Sequence, residues 1–183
     1  MKAFLAVVGA LGALQNPART PDIFFVPSRH VVVDGMLKFA QVTKDDVVYD
    51  LGSGDGRIAI LAAQKYGARA VGIELDPKLV AIAEEIASES GVRDRVTFVV
   101  GDLFTADISA ATVVTMFLSP SVNARLESKL RNELRPGTRI VSEQFPIGQW
   151  TPDAKTIVSE MELFLWRVPP KSSPQPSVVT ASR

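Results

Sequence analysis

With 183 residues, 46% of them apolar and 22% charged, the chain can bury the core of one domain of ordinary size and has no room for a second. Twenty basic and twenty acidic side chains cancel, so there is no bulk field to hold a phosphate backbone, and a nucleic-acid partner is disfavoured. The absence of cysteine removes disulfides, zinc-thiolate sites and thiol catalysis, and a single histidine, His30, removes multi-histidine metal chemistry, so no metal site is expected.

Residues 1–14 carry one lysine and then an unbroken apolar run from Ala3 to Leu14. The run has the proportions of a signal-peptide h-region and is short for a membrane span; an apolar helix packed on the domain fits the same composition, and both readings stay open. Residues 15–22, with Pro17 and Pro21, read as a linker. Beyond them residues 23–27 read as extended, and Ser28 is a reasonable N-cap for a helix from Val31 to Ala40. His30 there reads as a structural or surface residue rather than a catalyst.

The stretch Val47-Val48-Tyr49-Asp50-Leu51 predicts a strand, and it breaks at once into Gly52-Ser53-Gly54-Asp55-Gly56-Arg57. Glycine lets backbone pass close to a ligand and adopt positive φ, so alternating glycines after a β-branched run mark a ligand-hugging turn into the helix that Ile58 begins. A second strand, Arg69 to Glu74, ends in an acid about 20 residues past the glycines, where a carboxylate can accept from both ribose hydroxyls. The helix from Pro77 to Ala87 supplies a crossover. A third strand from Val96 runs to another acid, Asp102, placed to accept from an adenine amino group, with Leu103 beside it. Residues 111–118 predict a buried fourth strand, and Pro120 to Leu134 a helix whose Arg125, Lys129 and Arg131 read as a solvated basic face. A fifth strand, Thr138 to Glu143, and a closing pair around 156–158 and 161–168 complete an α/β sandwich with a mostly parallel sheet. The Pro/Ser-rich residues 169–183 read as a disordered tail.

Glycines at 52, 54 and 56 do not match the G-x-G-x-x-G spacing of a dinucleotide site, which counts against an NAD-linked enzyme. With Asp50 ahead of them they resemble the first motif of the class I S-adenosylmethionine (SAM) methyltransferases. From Phe25 to Val168 the chain is similar to the seven-strand protein-lysine methyltransferases, both the broad-specificity archaeal enzyme and the mitochondrial family that modifies the c-ring protein of ATP synthase and adenine nucleotide translocase. Val26-Pro27, residues 49–57, Val71-Gly72-Ile73-Glu74, residues 112–118, residues 134–139, Phe145 and Trp150 carry the likeness.

The resemblance implies a Rossmann-like seven-stranded sheet with helices on both faces and a C-terminal antiparallel strand, a domain spanning 23–168, and SAM as cofactor. It implies a cofactor set of Asp50, Gly52, Ser53, Gly54, Gly56, Glu74, Asp102 and Leu103. The acceptor wall would be Phe117, Leu118, Pro120 and Phe145, with Glu143, Ser119 and Trp150 as catalytic residues and a protein lysine as acceptor. The fourth strand lacks the Asn/Asp-Pro-Pro-Tyr of amide and adenine N-methyltransferases, which argues against those acceptors; a small-molecule acceptor is the alternative. Because an exported enzyme would meet little SAM, residues 1–14 are expected to hold the protein weakly at the cytoplasmic side of the inner membrane rather than to secrete it, although a signal peptide is not excluded. Oligomeric state is not legible in the sequence.

Overall fold

The computed structural model of the protein describes residues 27–170. The apolar segment at 1–14, its linker and the tail beyond residue 170 fall outside the described residues. The described elements are α1 (His30–Phe39), β1 (Val47–Leu51), α2 (Arg57–Tyr66), β2 (Arg69–Glu74), α3 (Pro77–Glu89), β3 (Val96–Val100), β4 (Val113–Met116), α4 (Pro120–Glu133), β5 (Arg139–Glu143), β6 (Ala154–Val158) and β7 (Met161–Arg167). They form one seven-stranded sheet in the order β3-β2-β1-β4-β5-β7-β6. The first five strands are mutually parallel, β7 runs antiparallel to β5, and β6 antiparallel to β7. This is the seven-strand, mostly parallel α/β sheet expected from the sequence.

Burial explains the strand composition. Strand β4 is covered on both faces and all four of its residues are buried, so it is a short continuous apolar run; edge strand β6 alternates half-buried and exposed positions. Side chains alternate across a strand, so β1 sends Val48 and Asp50 to one face and Tyr49 and Leu51 to the other. On the first face Val48, Phe98, Val141 and Leu163 pack with Val33 and Met36 of α1, Ile60 of α2 and Ala83 of α3. On the second, Tyr49, Met116, Ile140 and Trp166 pack with Leu126 and Leu130 of α4. The chain leaves β1 toward β2 on one side and returns to β4 on the other. That reversal opens a crevice at the C-terminal ends of β1 and β4, the usual ligand position in such sheets.

Three boundaries differ from the sequence reading. Strand β3 stops at Val100, so Asp102 lies in the turn beyond it rather than at the strand end. Strand β4 is only Val113–Met116, because Phe117 and Leu118 already belong to the loop feeding α4. Helix α1 is capped by Arg29, in extended conformation and with no side-chain cap bond; the Ser28 hydroxyl is engaged elsewhere.

Candidate active site

Strand β1 delivers the chain into three glycines whose φ values are +76, +54 and +79, at 52, 54 and 56. The left-handed region is open to glycine at little cost, which is why the turn uses that residue type three times. Gly52 is exposed, and a Cβ there would lie 2.8 Å from Leu118 Cδ2. Gly56 is buried as the residue before α2, where a Cβ would strike the Phe98 ring and lie 2.9 Å from Ala83 Cβ. The turn is bound to β2: the Gly52 and Ser53 amides donate to the Ile73 carbonyl at 2.9 and 3.0 Å. The Gly54 amide donates to Glu74 Oε2 at 2.9 Å, while Glu74 Oε1 accepts from the amides of Leu75 and Asp76 at 2.7 and 3.0 Å. Three backbone donors therefore fix the Glu74 carboxylate at the mouth of the crevice. Ser53 Oγ is buried with no partner among the described residues. In the turn after β3, Asp102 Oδ1 accepts from the Phe104 amide at 2.9 Å, and Leu103 is half-buried beside it.

Asp50 sits below the turn, 2% exposed, and accepts from Thr115 Oγ1 at 2.8 Å. Thr115, the polar residue within an apolar strand, is the partner that the sequence reading missed. Burial pushes the Asp50 carboxyl up to about 7; the Thr115 bond opposes this, and the neighbouring charges of Glu74 and Asp55 add to it. The folded chain keeps this proton to higher pH than the unfolded one, whose carboxyl titrates near 3.8, so Asp50 costs nothing below that value and destabilises increasingly as pH rises toward about 7. Asp50→Asn is expected to gain melting temperature relative to the natural chain across that window and to hold the gain above it. Paired thermal melts from acid to neutral pH check this, and a difference that stays flat would contradict it.

On the acceptor side, Phe117 is half-buried and Leu118 buried against Gly52, so the loop after β4 adjoins the glycine turn. Ser119 is the N-cap of α4, its hydroxyl accepting from the Val122 amide at 3.4 Å and lying 3.1 Å from Ser121 Oγ; exposed Pro120 is the first helical residue. Glu143 ends β5, 2% exposed, and accepts from Ser28 Oγ at 2.5 Å. By strand alternation from Val141 it lies on the α1 face, the same face as Asp50. Burial pushes its carboxyl up, opposed by the Ser28 bond and the charge of Arg29.

Phe145 is half-buried just beyond β5, its carbonyl held by Ser142 Oγ at 2.7 Å and Asn123 Nδ2 at 3.0 Å. The structure places Trp150 in the same apolar cluster as Leu118 but separates it from Glu143. Its ring centroid is 6.2 Å from that of Trp166, the Arg131 guanidinium lies 3.9 Å from it, and its carbonyl accepts from Trp166 Nε1 at 2.9 Å. It belongs to the α4-face core, across the sheet from Glu143, because the chain after Glu143 turns through Gln144 at φ +67 and folds down against α4. Glu127 helps to hold that loop, accepting from the Gln149 amide at 3.1 Å.

A sheet in this strand order, with a glycine turn after β1, an acid ending β2 and another just after β3, defines the class I methyltransferase architecture. The ANTKMT methyltransferase domain family matches residues 50–154, over half of the chain, and the protein belongs to that family. It is 47% identical over 133 residues to a protein-lysine N-methyltransferase of Saccharolobus islandicus, covering 72% of this chain and 83% of that one. It is 36% identical over 152 residues to the Homo sapiens lysine N-methyltransferase named for the c-type subunit of ATP synthase, covering 80% of this chain but 64% of that one, less than two thirds of its length. A crystal structure of an RNA methyltransferase from Salinibacter ruber in complex with S-adenosylhomocysteine superposes with a TM-score of 0.79 at 51% identity, over 81% of this chain and 97% of that one.

Proposed function

We propose that the protein transfers methyl groups from SAM to lysine ε-amines of proteins. The observation that carries this reading is the buried Glu143 carboxylate on the same sheet face as Asp50, in a chain 47% identical to a protein-lysine N-methyltransferase. The residues that would hold SAM are Gly52, Ser53, Gly54 and Gly56 in the turn, with Glu74 at the end of β2, Asp102 and Leu103 beyond β3 and Asp50 beneath. They fit it: the exposed Gly52 permits close approach, the buried Ser53 hydroxyl has no partner among the described residues, and Glu74 is preset by three amides.

When bound, SAM supplies a methyl on a positively charged sulfur, so that the carbon–sulfur bond breaks as the carbon–nitrogen bond forms and the sulfur is left neutral. Positioning supplies much of the acceleration of such a displacement, which suits a chain with one histidine and no cysteine. A lysine amine, with a solution pKa of ~10.4, must first lose a proton, and burial against Phe117, Leu118 and Phe145 favours its neutral form. Glu143 orients the ammonium and takes its proton; burial makes it a stronger base than an exposed glutamate.

The Salinibacter relative raises RNA as a second acceptor. Against it stand a net charge of zero and the pairing of cations along α4: Lys129 with Glu133 and Arg131 with Glu127. Incubation with labelled SAM and separated protein and RNA pools tests the choice. Protease-sensitive label is expected, and label removed only by ribonuclease, or confined to small molecules, would overturn the reading.

Residues 1–14 enter the same proposal as a weak tether to the cytoplasmic face of the inner membrane. Among the described residues no helix is long and apolar enough to cross a membrane. A chain beginning at Thr20 is expected to lose partition into membranes while keeping its methylation rate; unchanged partition would remove the tether.

A further inference from the structure

Ser28 is bonded at both ends to opposite halves of the site. Its hydroxyl, in a residue only 6% exposed, donates to Glu143 Oε2 at 2.5 Å across 115 positions of sequence. Its carbonyl accepts from Arg57 Nη1 at 2.7 Å. Arg57 is itself gripped by Asp55, through Nε to Oδ1 at 2.9 Å and Nη2 to Oδ2 at 2.5 Å, a bidentate pair of the kind that fixes geometry as well as charge. Asp55 and Arg57 belong to the glycine turn. The next residue, Arg29, donates to the Ser159 carbonyl in the β6–β7 turn, where Ser159 and Glu160 hold φ of +50 and +71. The segment leading into α1 is thus tied down on three sides, and one residue joins the glycine turn to the acid of β5.

We infer that Ser28 is a positioning residue, locking the Glu143 carboxylate to the glycine turn and aiming it at the acceptor amine. This rests on the role given to Glu143 above. The donated hydrogen bond favours the charged carboxylate, so its loss adds to what burial already does. The titratable and charged groups around the pair are Arg29 and His30 at the start of α1, Asp55 and Arg57 in the turn, and Asp50 of β1 on the same face. Arg29 also favours the ionised form, so removal of the hydroxyl shifts the titration without abolishing it.

The test combines carbon-13 titration of labelled glutamate, with the Glu143 signal assigned through Glu143→Gln, and steady-state kinetics on a protein acceptor. Ser28→Ala is expected to move the Glu143 midpoint upward by about one pH unit and to lower acceptor kcat/KM about tenfold near neutral pH, with SAM affinity within about twofold. Ser28→Cys, which fills the same space with a weak donor, should shift both in the same direction, and Ser28→Thr should restore them. In a Glu143→Gln background Ser28→Ala should cost little more, since the hydroxyl then has no carboxylate to hold. If Glu143→Gln impairs turnover while Ser28→Ala and Ser28→Cys leave both the titration and kcat/KM unchanged, the positioning role is overturned and Glu143 keeps its own. If the serine variants shift the titration but Glu143→Gln leaves turnover intact, the role given to Glu143 falls, and with it the aiming of an acceptor.

Discussion

Glu143→Gln is expected to lower turnover on a protein acceptor about 100-fold while leaving SAM affinity within about twofold. The carboxylate is buried at the end of β5 on the face that also carries Asp50, but it makes none of the contacts that shape the glycine turn directly. Its amide replacement keeps size and one acceptor oxygen for the Ser28 hydroxyl, so the fold should persist. On the proposed role, what would disappear is the negative charge that orients the acceptor ammonium and the basic oxygen that takes its proton. Removing a buried carboxylate whose proton affinity is raised by burial should also leave the variant at least as stable near neutral pH. Turnover within about threefold of the natural chain would reduce Glu143 to a strand-end acid, a loss too small for a general base.

The second large effect is expected at Gly52. Gly52→Val should abolish the calorimetric signal of SAM binding, with a loss of roughly 1–3 kcal/mol of stability from forcing a β-branched residue to positive φ. The fold should survive, because Gly52 is exposed and the nearest atom to a new Cβ is the end of the Leu118 side chain. The same change at Gly56 would instead drive into the Phe98 ring and Ala83, so loss of binding there would not be separable from loss of the core. A Gly52→Val protein that melts as a folded domain and binds SAM normally would remove the glycine turn from the cofactor site.

The glycine turn and the acids at the ends of the neighbouring strands are legible because their signals are local. Alternating glycines announce a turn wherever they follow an apolar run, and a parallel sheet puts the ends of β1, β2 and β3 at one edge without knowledge of long-range contacts. The surroundings of Glu143 are less so. Ser28 reads as a helix cap because capping is a short-range pattern, whereas its partner Glu143 lies 115 residues away. Trp150 follows β5 closely and so reads as a neighbour of Glu143, but the left-handed Gln144 and the anchoring of residues 145–149 to Asn123 and Glu127 carry it to the opposite face of the sheet. Thr115 was available as a signal: a hydroxyl inside a fully buried strand needs a partner, and the buried acid of the adjacent strand, Asp50, is paired with it in register. The end of β3 is not legible in the sequence, because apolar residues run on to Val100 and Leu103 with only Gly101 and Asp102 between them, a pattern that periodicity alone does not terminate.

The most direct measurement is residue-level mapping of the transferred methyl by tandem mass spectrometry. The protein would be incubated with isotopically labelled SAM and a mixed extract from which neither RNA nor small molecules have been removed. The expected result is label on lysine ε-amines of proteins, lost when Glu143→Gln replaces the natural chain. Label on arginine or glutamine side chains, on RNA bases or riboses, or on metabolites alone would contradict the assignment of lysine as the acceptor.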